Sequence, residues 1–331
     1  MKNPTERMRG LLKRCGDNQY EVACAAQREL AVALTLPLKQ GVLKGDIVTD
    51  IFQTMPMEPG STGFEYPLDL LAPGHEADHI AYHIPSLGRI PERQVQGDYV
   101  RFATYEVGSS IDFALKYART ARWDIVSRCL QVLEADFIQK MNNDGWHVLL
   151  AAGLGRNLLI ADTAATAGLF SKRLVELMKN IMRRSAGGNS TSTNRGKLTR
   201  LYMSPEAQGD IRGWTLDDVD DVTRREIFLA DEYGLMKVFG VELRALDELG
   251  DGQEYQDYFE DTLGGSLTNS KQELVVGLDT SKDDSFVMPI AEEIQVFEDP
   301  TMHRRRKAGF YAWSEYGFGV ADARRVLLGQ L

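Results

Sequence analysis

One uninterrupted helical stretch constrains this chain more than any other feature. Residues 120–152, TARWDIVSRCLQVLEADFIQKMNNDGWHVLLAA, contain no proline and a single glycine, Gly145. Apolar residues recur at Val126, Cys129, Leu130, Leu133, Phe137, Met141, Gly145 and Val148, the three-and-four spacing that buries one face of a helix. A second set, Trp123, Ile125, Val132, Trp146 and Leu149, predicts packing on more than one side. Thr120 or Asp124 suits the N-cap, and Gly153 suits the end. At 1.5 Å per residue such a helix runs about 45 Å, far beyond the mean globular helix. Strand-like segments on both sequence flanks leave it as a lone backbone helix.

Composition narrows the class. A chain of 331 residues, 43% apolar and 26% charged, reads as a globular protein with two subdomains. Its net charge of −10 argues against a bulk nucleic-acid binder. Cys15, Cys24 and Cys129 form no CxxC pair and leave an odd thiol, which argues for a reducing compartment and against zinc or disulfides. The apolar run 148–155 is too short to span a bilayer, and the N-terminus lacks the apolar core of a signal peptide. These features predict a cytosolic product with no membrane partner.

In chain order, residues 1–45 read as an arm. Lys2, Arg7, Arg9, Lys13 and Arg14 stand against Glu6, and Met8, Leu11 and Leu12 make one side of a short helix. A solvated, partly disordered terminus and a basic arm facing nucleic acid are both open readings. Residues 19–36 are helix-prone and close at Pro37. Residues 50–105 hold six of the eleven prolines, between extended runs at 63–68 and 99–106. That texture predicts a two-stranded excursion, marginal unless it lies on another surface. Beyond the long helix come a small, turn-like stretch (153–166), an amphipathic helix over 169–184 and a flexible loop over 187–197. Strands follow at 199–204, 238–246 and 274–278. Phe286–Phe297 and Ala308–Val320 predict two long antiparallel strands joined by EDPTMHRRRK.

Catalytic signals are thin. Gly196-Lys197 ends like a phosphate loop, but Thr191 replaces its first glycine and Leu198 its magnesium-binding hydroxyl. His75, His79 and His83, spaced by four, would share a helix face able to bind zinc. Pro73-Gly74 before them and Pro85 after them oppose a helix. As a strand, they leave Ile80, Tyr82 and Ile84 on the other face of a hairpin arm, and a pH-sensitive contact is a third reading. Asp217, Asp218, Asp220 and Asp221 suit a solvated loop or weak calcium binding. Arg304, Arg305, Arg306 and Lys307 crowd one turn and repel one another unless carboxylates oppose them. Glu298, Asp299, Glu58, Glu65 and Glu92 are the candidate acids, and an inter-subunit interface is the preferred reading of the turn.

The order of these elements resembles the major capsid proteins of tailed bacteriophages, with the Johnson or Hong Kong 97-type fold. The resemblance rests on the basic arm, the proline-rich hairpin, the helix ARWDIVSRCLQVLEADFIQKMNNDGWHVL, the segment LYMSPEAQGDIRGW and the closing strands FVMPIAEEIQVFEDPTMHRRRKAGFYAWSEYGFGV. It implies an α+β fold with four parts. Residues 1–48 resemble the N-arm and 49–105 the extended E-loop hairpin. Residues 106–153 and 285–320 resemble the P-domain with its spine helix, and 154–284 with 321–331 the axial domain.

The same resemblance implies a structural, non-enzymatic protein without cofactor. Copies would assemble as hexamers and pentamers into an icosahedral virion shell around double-stranded DNA, made in the host cytoplasm. Separate scaffold, portal and cement proteins are implied partners. Lys2, Arg7, Arg9, Lys13 and Arg14 would face the interior, and Arg304 to Lys307 a subunit junction. No lysine lies between Lys44 and Lys116, so the hairpin lacks the nucleophile that some family members use for cross-linking. An encapsulin-like compartment shares the implied fold. From another class, a metal-dependent enzyme using His75, His79 and His83 is the remaining alternative.

Overall fold

The structure, a computed structural model, describes residues 4–17, 19–45, 48–58, 63–67, 99–166, 168–185, 196–211, 213–214, 236–267, 273–281 and 285–331. His75, His79 and His83, the 217–221 acids, Lys2 and most of the 187–197 loop lie outside these residues. Two units divide the chain. The first holds residues 1–64, 101–145 and 287–319, and the second 65–100, 146–286 and 320–331.

The first unit is a helical layer on a sheet. Helix α1 (Pro4–Cys15) packs on α2 (Tyr20–Gly45) and on the short α3 (Leu115–Arg119). Helix α1 is therefore packed rather than solvated, because Leu11, Leu12 and Cys15 are buried. Helix α2 also corrects the expected stop, since Pro37 lies inside it. Leu30, Leu34, Leu38 and Val42 form one buried stripe on both sides of the proline. Burial of that stripe outweighs one missing backbone hydrogen bond.

Strand β1 (Gln53–Pro56) comes next, then β2 (Phe64–Pro67), β3 (Tyr99–Phe102) and the ten-residue β4 (Tyr105–Ala114). β2 and β3 pair as a two-stranded sheet. The expected run 99–106 breaks at Ala103-Thr104, and β4 was not anticipated. β1, grouped with the hairpin by sequence, instead runs parallel to β10 (Phe286–Asp299). β10 pairs with β11 (Lys307–Tyr316), and β11 with β4, both antiparallel, giving the order β1-β10-β11-β4.

The long helix α4 spans Trp123–Gly155, shifted three residues from the expected bounds. Thr120 does not cap it: its hydroxyl donates to the carbonyls of Lys116 (3.0 Å) and Tyr117 (3.3 Å), closing α3. Ala121 then turns with φ +50°. Gly153 does not end it either. A Cβ there would lie 2.7 Å from Leu328, so this glycine serves a close approach. Asn157, at φ +54°, takes the left-handed position after the helix and donates to Leu154 at 2.8 Å. Through the first unit, α4 buries Val126, Leu133, Phe137, Met141 and Gly145. From Trp146 onward the buried set is Trp146, Leu149 and Leu150. Val132, expected to pack, is 50% exposed.

The second unit is a six-stranded mixed sheet in the order β5-β13-β9-β6-β8-β7. Its strands are β5 (Leu159–Ala161), β6 (Arg200–Met203), β7 (Met236–Val238), β8 (Val241–Ala245), β9 (Leu274–Leu278) and the C-terminal β13 (Val326–Gln330), whereas the two-residue β12 (Gly319–Val320) pairs with β10 of the first sheet. β5 and β13 were missed because each is a short apolar run beside turn-like residues. The single strand expected over 238–246 is a hairpin: Phe239 (φ +52°) and Gly240 (φ +77°) make its two-residue turn. Every residue of β9 and β13 is buried, as in a sheet covered on both faces. On one face lie α5 (Lys172–Ser185) and α6 (Pro205–Ile211), joined to the sheet through Leu174, Met178, Leu201, Ala207, Val275 and Leu327. On the other, Trp146 meets Tyr202 edge-on at 4.9 Å and stacks on Tyr255 at 5.9 Å.

Candidate interaction surfaces

The β10–β11 turn is built as a rigid basic tip. Asp299 Oδ1 accepts from the Thr301 amide (2.9 Å) and hydroxyl (2.6 Å), which starts a 3-10 turn over Pro300–Arg305. Arg306 completes the reversal with φ +55°, and its carbonyl accepts from Leu115 N–H at 3.0 Å. Arg304, Arg305, Arg306 and Lys307 are all exposed. Lys307 pairs with Asp112, whereas the three arginines make no ion pair among the described residues.

Two of the acids expected to oppose them, Glu298 and Asp299, are engaged elsewhere, and Glu92 lies outside the described residues. Arg28 Nε donates to Glu298 Oε1 at 2.6 Å, and the Glu298 side chain is only 10% exposed. Asp299 is occupied by Thr301 within the turn. These two carboxylates therefore do not neutralise the three arginines.

A second basic surface lies on α1. Arg7, Arg9 and Lys13 are exposed, while Arg14 pairs with Glu29 of α2 at 3.3 Å. The helix holds this display through its buried side. Burial pushes the Cys15 thiol up to about 12, and Arg119 Nε donates to the Gly16 carbonyl at 3.1 Å. The charge is thus fixed on a packed helix rather than on a loose tail.

Two features went unrecognised by sequence. Val32 and Leu36, one turn apart on α2, are 74% and 62% exposed. They were hidden because α2 carries apolar residues on nearly every side. On the outer face of the first sheet, Phe297 stacks on Tyr311 (5.5 Å) and Trp313 (6.2 Å). Aromatic residues occur on both faces of β11, since Phe310 and Tyr316 are buried, so alternation alone does not tell which face is outward.

The second unit carries an acidic cleft of about 420 Å³ bounded by Pro205, Glu206, Asp247, Asp251 and Glu273. Burial raises the Glu273 carboxyl above its ordinary value. The Ser204 hydrogen bond opposes that rise, and the charges of Glu206, Asp210 and Asp251 reinforce it. No group of three or more His, Cys, Asp or Glu side chains among the described residues has metal-holding geometry. None of the described helices is long and apolar enough to cross a membrane.

This arrangement of helices and strands is a fold of the phage-capsid type. A solved structure of Microbacterium phage Oxtober96 is similar over 87% of this chain and 90% of its own, with TM-score 0.58 and 11% identity. The capsid asymmetric unit of Cyanophage Pam1 matches over 85% and 88%, with TM-score 0.57 and 12% identity. The mature capsid asymmetric unit of bacteriophage PhiM1 matches over 86% and 87%, with TM-score 0.55 and 10% identity. No protein-family model matches the sequence, and no curated protein matches it significantly.

Proposed function

We propose that this chain is a major capsid protein whose copies assemble, as hexamers and pentamers, into an icosahedral shell around double-stranded DNA. The likeness to the phage capsid structures of Pam1 and PhiM1, over at least 85% of both chains, carries the reading. In Hong Kong 97-type terms, residues 1–48 are the N-arm, and 49–105 are the E-loop with β1 anchored in the sheet. Residues 106–153 and 285–320 are the P-domain, and 154–284 with 321–331 the axial domain. The work of such a protein is assembly, not turnover, and its place is the virion. Interfaces of an obligate assembly bury about 2,000 Å² or more. The exposed basic tip and the apolar residues left on α2 are surfaces of the kind that assembly covers. Scaffold and portal proteins are the expected partners, with the exposed arginines of α1 near packaged DNA.

The test is expression of the chain alone and together with the genes flanking its own, followed by sedimentation and negative-stain microscopy. Closed shells of uniform diameter are expected. A chain that stays monomeric under every combination overturns the reading.

A further inference from the structure

The outer face of the first sheet changes chemistry along its length. Register fixes what lies there. Phe297 stands opposite Tyr311 and Gln295 opposite Trp313, while Ser110 and Gly108 of β4 stand opposite the same two aromatics. The small β4 residues leave one side of the aromatic cluster open, and Tyr311 is 40% exposed.

Next along the strands, Glu292, Glu315 and Glu106 are register partners across β10, β11 and β4, with a register shift of β10 on each side of Glu292. Thr104 donates its hydroxyl to Glu315 at 2.6 Å, and no lysine or arginine among the described residues pairs with any of the three. Like charges directly opposite one another weaken a sheet. At the other end of the same hairpin stand the exposed, locally unopposed Arg304, Arg305 and Arg306. About 30 Å of strand separates Arg306 from Glu315, so the tip cannot reach the acidic row of its own sheet.

We infer that the Arg304–Arg306 tip of one copy docks on the outer sheet face of a second copy, with its arginines on Glu106, Glu292 and Glu315 and beside Tyr311 and Trp313. The occupant follows from charge: three guanidinium groups meet three carboxylates. Arginine binds carboxylates through a planar fork and stacks on aromatic faces, so one residue type serves both halves of the surface. Tip to base is a heterologous contact, the kind that closes into rings when the rotation permits. The inference rests on the shell reading and names one contact within it.

Charge reversal tests it. R304E/R305E/R306E reverses the tip, and E106K/E292K/E315K reverses the base. Each is expected to raise the concentration needed for particle formation at least about tenfold. The six-fold variant, with both ends reversed, is expected to regain assembly. Sedimentation and negative-stain microscopy give the readout, and circular dichroism selects folded variants. Should E106K/E292K/E315K fail to fold, E106Q/E292Q with the tip reversed replaces it, and is expected to assemble better than the tip reversal alone. Either reversal assembling like wild type overturns the docking while leaving the shell reading intact. So does failure of the folded six-fold variant to recover, and so does a block by base reversal alone, which would assign the face to another segment or partner. If the unaltered chain forms no particles, alone or with the genes flanking its own, the shell reading itself falls.

Discussion

Arg325 and Asp279 form an ion pair sealed inside the second unit, with side-chain exposures of 2% and 0%. Asp279 is fixed further by the Lys197 amide at 2.8 Å and the Ser281 amide at 3.0 Å. Removing one partner of such a pair leaves an uncompensated buried charge. R325A is expected to destabilise the protein by about 3–5 kcal/mol. The double variant D279N/R325M removes both charges and is expected to recover at least half of that loss. Urea unfolding midpoints check both. Equal losses in the two variants would show that packing, not the stranded carboxylate, dominates.

Gly145 occupies a different kind of tight place. A Cβ there would lie 2.4 Å from Val48 Cγ1, and Val48 is itself fully buried. Alanine gains about 1 kcal/mol of helix propensity over glycine. Overpacking against a stiff β-branched neighbour costs about 1–3 kcal/mol. G145A is expected to lower stability, and V48A/G145A to be less impaired than the two single changes summed. A double-mutant cycle on thermal melts measures the coupling.

Legibility in the sequence followed periodicity. The long helix and α5 carry a helical repeat over several turns, and β10 and β11 run long enough for their pattern to be read, whereas β6 and β9 are legible only as short apolar runs. Capping was less legible. Gly153 looked like a stop, yet Leu328, far away in sequence, makes it a packing glycine. Pro37 looked like a breaker, yet the buried stripe from Leu30 to Val42 carries the helix through it. The basic tip was visible as a charge run. Its acidic counterpart was not, because Glu106, Glu292 and Glu315 come together only through strand register.

The acidic cleft makes stability depend on pH. The Glu273 carboxyl is raised above its ordinary 4.5, first by burial and then by neighbouring carboxylates. The folded state therefore binds this proton more tightly than the unfolded chain. Stability from that proton is fully present below pH 4.5 and is lost as pH rises through the folded value. E273Q, which cannot ionise and can still accept from Ser204, is expected to melt higher than wild type at pH 7. The gain should vanish near pH 4. Melting curves across that range check it, and a gain that persists at pH 4 would point to packing instead.

Helix α1 separates two roles that one deletion would confuse. Leu12 and Cys15 are fully buried, and Gly16 sits against Arg119, where a Cβ would lie 2.7 Å from the backbone nitrogen. Deleting residues 1–17 uncovers the surface these side chains occupy, at about 1.5–3 kcal/mol for each large apolar side chain lost. The truncated chain is expected to melt lower by several degrees whatever its charge. Arg7, Arg9 and Lys13 are exposed and form no ion pair among the described residues. R7Q/R9Q/K13Q should therefore change stability by no more than about 0.5 kcal/mol. Any effect of that triple variant on particle yield or DNA content then reports the charge itself. Such an effect should shrink as salt is raised, since screening weakens exposed charges in the parent as well. Thermal melts paired with the nucleic-acid absorbance of purified particles distinguish the outcomes. Wild-type filling by the triple variant would leave α1 a purely structural helix.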